Sequence, residues 1–570
     1  MEEVAARPLN QRGHTVRRVS RRELLATFLG ASWAAAGCRD EEVPDLPPGR
    51  LVEPSRTVGH RIRDGVGDLV SRAGDMPDED WQTCDVVVVG GGVSGLSAVR
   101  RMVMSGCTDF VLLELEEVAG GTARGGMLAQ QACPWGAHYL PVPQKENRAL
   151  VSLLEEMGVL EGVDVLGQPQ GAEEHLCRDP QERLFYAGRW YDGLYLRAGA
   201  TVEDRRQWAK FQQVLDRWIA WRDRQGRRAF TLPLAGCSDD PAVTHLDKMT
   251  AAQWLGQQGF DSPRLLWMVD YACRDDYGMS VGQASAWAAL FYFVSRRVAP
   301  GGTGRPFLTW PEGNARIVRH LAEMAGDRLR SGEAVVDINP VVRDGREIVE
   351  VVSLASNGAD ERVRGYRANR VIMATPQFLT PYLVRPWRSD RPEHVASFEY
   401  GSWMVANLAV DQRPAGIGFP MAWDNVFYNS RSLGYVVATH QAGEDRGPTV
   451  LTYYYPIVDE SPKGGRRFLE SIGRDEWADV VLADIERAHP EIRQLTRELN
   501  VARWGHAMIR PKPGFVWSGS RESARQPWRG IHFANTDLSG VALFEEAFYH
   551  GTRAGEEVLA GLSISHQSVL

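Results

Sequence analysis

Cys84-Asp85-Val86-Val87-Val88-Val89-Gly90-Gly91-Gly92-Val93-Ser94-Gly95 is the stretch that decides how this chain is read. Four consecutive valines suit a strand buried on both faces of a parallel sheet. They run into Gly90-x-Gly92-x-x-Gly95, and apolar positions Leu96, Val99, Met102 and Val103 then predict a helix. Gly90 permits the tight turn, Gly92 lets the backbone approach a pyrophosphate, and Gly95 lets the helix pack close to the strand. The helix start, which includes Ser94, offers free N–H groups and the positive end of a dipole to phosphates. A second strand, Phe110-Val111-Leu112-Leu113, ends on Glu114, 19 positions after Gly95. A carboxylate at that place accepts hydrogen bonds from an adenosine ribose. Together these elements predict a dinucleotide-binding βαβ unit. They do not by themselves separate a nicotinamide from a flavin.

The residues that follow do. Glu114-Leu-Glu-Glu-Val-Ala-Gly120-Gly121-Thr122 resembles the flavin amine oxidase superfamily, where a ribose-binding glutamate is followed six residues later by Gly-Gly. That superfamily includes monoamine and polyamine oxidases, protoporphyrinogen oxidases and phytoene desaturase relatives. Trp135-Gly136-Ala137-His138-Tyr139 resembles its loop lying against the isoalloxazine, and Arg503-Trp504 its tryptophan near the flavin. Ala334-Val335-Val336 resembles the strand whose valine backbone pairs with adenine, and Ala374-Thr375-Pro376 the strand-end proline motif. Near the C-terminus, Phe533-Ala534-Asn535-Thr536-Asp537 and Phe544-Glu545-Glu546-Ala547 look like the family's last FAD segment. There the acidic residue reaches the ribityl-pyrophosphate region, and a helix start points at the flavin C2 carbonyl. The resemblance implies a Rossmann-like α/β FAD-binding domain with an inserted α+β substrate domain, and FAD as cofactor.

The chain departs from that pattern in two places. Where the family carries a lysine beside flavin N5, Tyr400-Gly401-Ser402-Trp403-Met404-Val405 has Val405. Valine cannot hold a water by hydrogen bonding. Of the five lysines, only Lys512 lies in a segment expected near the flavin face, where it could substitute; the other reading is a solvated surface lysine. The family's arginine after the ribose glutamate is replaced by Glu116, and Thr122 follows Gly-Gly, so Arg124 is expected to take over the phosphate contact. His138 and Tyr139, with Lys512, are the catalytic candidates; His440 and His506 are further bases to test. Hydride transfer to a flavin needs positioning and water exclusion more than a particular side chain, so the missing lysine leaves FAD binding intact.

The ends and the composition complete the expectation. Residues 1–38 carry Arg21-Arg22 ahead of Leu24-Leu25, a short apolar stretch to Gly37, and Cys38. They resemble a twin-arginine (Tat) export signal, with either a lipid anchor on Cys38 or cleavage near Ala36. Export already folded suits a protein that takes up its cofactor in the cytoplasm, and predicts a periplasmic or membrane-anchored product of the Tat machinery. Residues 39–80 read as a tether. Segments 84–145, 301–380 and 501–562 are assigned to the FAD-binding domain. Segments 146–300 (mainly helical) and 381–500 (strand-rich) are assigned to the substrate domain. Thr250-Ala-Ala-Gln253 is a capping box that predicts a helix over 250–257. In 570 residues the net charge is -8, which sets nucleic-acid binding aside. Seven cysteines without a CxxC pair argue against a zinc ribbon or disulfide frame, and no metal site is expected.

The substrate region is aromatic-rich, and Arg274-Asp275-Asp276-Tyr277-Gly278 and Trp423-Asp424-Asn425 are candidate pocket turns. Aromatic walls suit an apolar or cationic small molecule. The leading expectation is hydride transfer from a C–N or C–C bond to flavin N5, with oxygen or a quinone as final acceptor. Alternatives are a phytoene desaturase- or protoporphyrinogen oxidase-like dehydrogenase, and a non-catalytic FAD-binding envelope protein.

Overall fold

Val86 and Val88 face one side of strand Trp81–Val89, and Val87 and Val89 face the other. All four are buried, each contributing about 1.5–3 kcal/mol relative to exposure. This computed structural model describes residues 46–357, 360–443 and 445–570. The expected export signal, Cys38 and the start of the expected tether lie outside the described residues.

Strand Trp81–Val89 pairs in parallel with Phe110–Leu113 on one side and with Asp360–Met373 on the other. Ile531–Phe533 also pairs in parallel with Asp360–Met373, while Arg346–Asn357 and Glu333–Arg343 extend the sheet antiparallel. Segments far apart in the chain therefore build one seven-stranded sheet. Helix Val93–Met104 covers one face together with helix Phe544–Gly561, and the Ser94 hydroxyl donates to the Ala547 carbonyl at 3.0 Å. The fold is thus a Rossmann-like α/β domain with further layers inserted.

The insertion holds an eight-stranded sheet, in order Leu51–Val52, Thr496–Ile509, Tyr400–Val410, Thr449–Ile457, Gly434–Val437, Asp424–Phe427, Glu182–Tyr186 and Arg189–Asp192. Helices Val202–Ala220, Ala251–Gln257, Pro263–Tyr277 and Ala286–Val294 share a second core rich in Trp and Phe. The expected cap at Thr250 acts, and Thr201 does the same: each hydroxyl accepts from the backbone N–H three residues on. Helix Ala286–Val294 is apolar all round because it is buried all round. Among the described residues no helix is long and apolar enough to cross a membrane.

The tether expectation needs correcting. Residues 46–80 carry the edge strand Leu51–Val52 and helices Arg56–Asp64 and Gly67–Gly74. Their few apolar residues, Ile62, Val66, Leu69 and Ala73, fall at helical spacing and are buried on the Val87/Val89 face. Dense surrounding charge hid that spacing in the sequence.

Candidate active site

The glycine loop divides its duties as stereochemistry demands. A Cβ on Gly95 would lie 1.9 Å from the Gly90 carbonyl oxygen, so only glycine lets the helix start so close to the strand. A Cβ on Gly92 would meet nothing within 4 Å, so that backbone borders open space. Gly120 forms a bridge with Gly92, and its N–H donates to the Gly91 carbonyl at 2.8 Å. The Gly120-Gly121 turn therefore sits against the first loop. The Thr122 carbonyl accepts from the Ala137 N–H at 2.9 Å, which places Gly136 and Ala137 next in line. The Thr375 hydroxyl is buried beside Gly90 and has no hydrogen-bond partner among the described residues.

Glu114 is buried, which raises its pKa, while the N–H groups of Glu116 at 2.8 Å and Gly91 at 2.6 Å favour its ionised form. The Glu333 N–H donates to the Glu114 carbonyl at 2.8 Å, bringing the strand that carries Val335 alongside. Asp537 accepts from the Gln377 N–H at 2.7 Å and from the Tyr400 hydroxyl, and burial pushes its pKa up to about 6. Helix Phe544–Gly561 starts with no side chain capping its free N–H groups. A ribose-binding carboxylate, open space at Gly92, an unpartnered hydroxyl and an uncapped helix start together fit an FAD. Among the described residues, no group of His, Cys, Asp and Glu could hold a metal ion.

The loop after Trp135 continues into a second space. Trp504 Nε1 donates to the Trp135 carbonyl at 2.7 Å, and the Tyr454 hydroxyl donates to the Gly136 carbonyl at 2.9 Å. His138 stacks on Tyr454 with centroids 4.6 Å apart, and Trp423 lies 5.4 Å from it. Tyr139 stands edge-on to Trp423 at 5.8 Å. Burial pushes the His138 pKa down to about 4, so its imidazole is neutral at physiological pH. Val405 is the register partner of both Tyr454 and Ala502 and is buried in this aromatic wall. No ammonium stands where the resemblance placed one.

Three carboxylates face the same space. Glu182 and Asp424 are register partners on neighbouring parallel strands, and Asp275 comes from the last turn of helix Pro263–Tyr277. They act electrostatically on one another, and Asp275 and Asp424 on Tyr454, so the three form one buried group beside the aromatic wall. Burial, then Asp192, pushes Glu182 up to about 7; burial, then Asp276, pushes Asp275 up to about 8. Asp424 is raised by burial, then by Glu182 and Asp275, although the Tyr271 hydroxyl donates to it at 3.3 Å. The nearby arginines are already taken: Arg274 pairs with Asp270 at 2.9 Å and Arg296 with Asp276 at 3.2 Å.

Most of the residues singled out in the sequence therefore converge. Gly90, Gly92, Gly95, Glu114, Gly120, Gly121, Thr122, Gly136 and Ala137 surround one cradle, and His138, Tyr139 and Trp504 line the adjoining space. Ser94 can serve only through its backbone, because its hydroxyl is engaged by Ala547. Lys512 takes the solvated reading: it is partly exposed and its ammonium is paired with Glu399 at 2.5 Å. His440 is bonded to the Arg178 carbonyl at 2.8 Å, and His506 is exposed and stacked on Phe378 at 4.2 Å. The two candidate pocket turns are instead the end of helix Pro263–Tyr277 and the start of strand Asp424–Phe427, and each brings a carboxylate to the buried group. Glu182 was not foreseen, since Gln181-Glu182-Arg183 looks like any polar strand edge.

Comparison with known proteins agrees with this geometry. Residues 93–559 match the family model described as flavin containing amine oxidoreductase. No match is found among curated proteins. Among solved structures, putrescine oxidase bound to putrescine is similar, with TM-score 0.59 and 17% identity over 84% of this chain and 99% of that one. Cyclohexylamine oxidase from Brevibacterium oxydans gives TM-score 0.58 and 15% identity over 84% and 99%. The CLA-producing fatty acid isomerase from P. acnes gives 0.56 and 13% over 83% and 98%. At such identities these likenesses establish the fold alone.

Proposed function

Because the chain belongs to the flavin-containing amine oxidoreductase family, and is therefore an FAD-dependent oxidoreductase, we propose that it oxidises the C–N bond of a cationic amine. The observation that carries this reading is the trio Glu182, Asp275 and Asp424, buried together beside an aromatic wall and, among the described residues, none of them in an ion pair. A buried carboxylate without a counter-ion is costly, and a substrate ammonium supplies the missing charge. The faces of Trp423, Tyr139 and Tyr454 add cation–π attraction for the same group.

When bound, FAD supplies two-electron acceptance, taking a hydride from the carbon beside nitrogen. The chain's own residues do the rest. The trio orients the ammonium, and the aromatic wall excludes water around the reacting carbon. A carboxylate whose pKa is raised to about 7–8 can take a proton from an ammonium so that a neutral amine reacts. Val405 contributes packing only, and neutral His138 offers a hydrogen-bond acceptor beside it. Oxygen or a quinone is the proposed final acceptor. We further propose export of the folded protein by the Tat route to the periplasm or, through Cys38, to a membrane surface; the Arg21-Arg22 signal supports this.

A second reading, oxidation of a C–C bond in a hydrophobic substrate, draws on Val405, since such a reaction needs no lysine-held water. Anaerobic titration of the purified protein lacking residues 1–38 decides between them. Bleaching of the flavin band by an amine supports the first reading. A flavin that dithionite bleaches and no amine does supports the second.

A further inference from the structure

Glu116, which stands where the family resemblance leads one to expect an arginine, is the meeting point of three separate segments. The Ser55 N–H donates to Glu116 Oε1 at 2.7 Å, and the Ser55 hydroxyl donates to Oε2 at 3.1 Å. Arg124 pairs with the same carboxylate at 3.3 Å, and its guanidinium lies 5.0 Å above the Trp504 ring. The Glu116 N–H in turn donates to Glu114, the carboxylate placed for the ribose. One residue thus connects the segment before the dinucleotide motif to Glu114 through its N–H, and to Arg124 and the Trp504 ring through its side chain.

The same preceding segment is fastened to the substrate domain. Leu51 and Val52 pair in parallel with Val501 and Ala502, two residues before Trp504. The Leu499 N–H donates to the Pro48 carbonyl at 2.9 Å, and the Arg50 N–H donates to Asn500 Oδ1 at 2.7 Å. Arg503 Nε donates to Glu53 at 2.7 Å. A Cβ on Gly49 would overlap the Leu499 carbonyl, so the strap is seated tightly on that strand. Residues 48–55 therefore join the strand bearing Trp504 to the loop bearing Glu116 and Arg124.

We propose that residues 48–55 are a clasp that retains FAD, with Glu116 as the positioning residue that holds Arg124 in place. The replacement of arginine by glutamate at this position is then the receiving half of the clasp, and Ser55 the inserting half. FAD enters before the strap seats on the Thr496–Ile509 strand and leaves only when Ser55 and Glu116 part. The inference goes beyond the proposed amine oxidation, because it concerns cofactor retention whatever the substrate.

The test is the rate of FAD release from the holoenzyme, followed by the rise of free-flavin fluorescence on dilution, for wild type, Ser55→Ala, Glu116→Gln and the double variant. Loss of a charge-assisted contact at the clasp predicts release about tenfold faster in each single variant. The double variant is expected to release no faster than Glu116→Gln, because both act through one contact. Circular dichroism should stay at the wild-type spectrum, which a general loss of structure would not allow. Release at the wild-type rate in all three variants overturns the clasp. Additive effects of the two substitutions overturn Glu116 as the shared point. A wild-type protein that binds no FAD overturns the cofactor assignment itself, a result distinct from both.

Discussion

Glu182 and Asp424 stand directly opposite one another on adjacent parallel strands, two carboxylates without a cation between them. Like charges placed so are normally destabilising, and protonation relieves the repulsion. The arrangement makes sense in an enclosure that receives positive charge.

Glu182→Gln and Asp424→Asn are expected to lower kcat/KM for a primary amine about tenfold, since ~1.4 kcal/mol of ammonium binding is lost. Steady-state kinetics with a short primary amine checks this. An unchanged kcat/KM would mean the carboxylates do not hold the ammonium.

The pH dependence has a defined sign. Glu182 and Asp275 are ionised only above about 7 and 8, so cation binding strengthens as pH rises through that window. KM for an amine should fall between pH 6 and pH 9, and binding should release protons. Raised carboxylate pKa values also mean that the stability they contribute is present below their unfolded value of ~4 and is lost as pH rises through the folded one. Melting of the substrate-free protein should drop between about pH 4 and pH 8 and level off above, with a bound amine restoring more at pH 9 than at pH 6. Calorimetry at two pH values measures both.

Gly92→Ala and Gly95→Ala should separate cofactor binding from folding. The Gly92 methyl meets no protein atom, so the variant is expected to fold with unchanged melting yet bind FAD poorly. The Gly95 methyl collides with the Gly90 carbonyl and should cost about 1–3 kcal/mol of stability as well. Absorbance near 450 nm and thermal melts report the two effects.

Lys512→Ala is expected to leave turnover within a factor of two and to change stability by less than about 1 kcal/mol, because its partly exposed pair with Glu399 is worth little. A large fall in kcat with unchanged melting would return Lys512 to the chemistry.

The dinucleotide unit was legible in the residues because each of its parts is local. Val86–Val89, the three spaced glycines, the following helix and Glu114 each act through backbone geometry within a few residues, and stereochemistry leaves few alternatives. Capping at Thr250 was readable for the same reason. What only the tertiary structure decided depends on contacts between distant segments. Glu182, Asp275 and Asp424 are separated by as much as 242 positions and become one site because strand pairing brings Glu182 beside Asp424. Residues 46–80 looked like a tether because their four inward residues are outnumbered by charge, and their order comes from a sheet assembled elsewhere. Lys512 was a candidate by position alone, until folding gave it Glu399 as a partner. Local rules write themselves into short spacings, whereas which charges meet inside an enclosure is settled by topology, and no spacing records it.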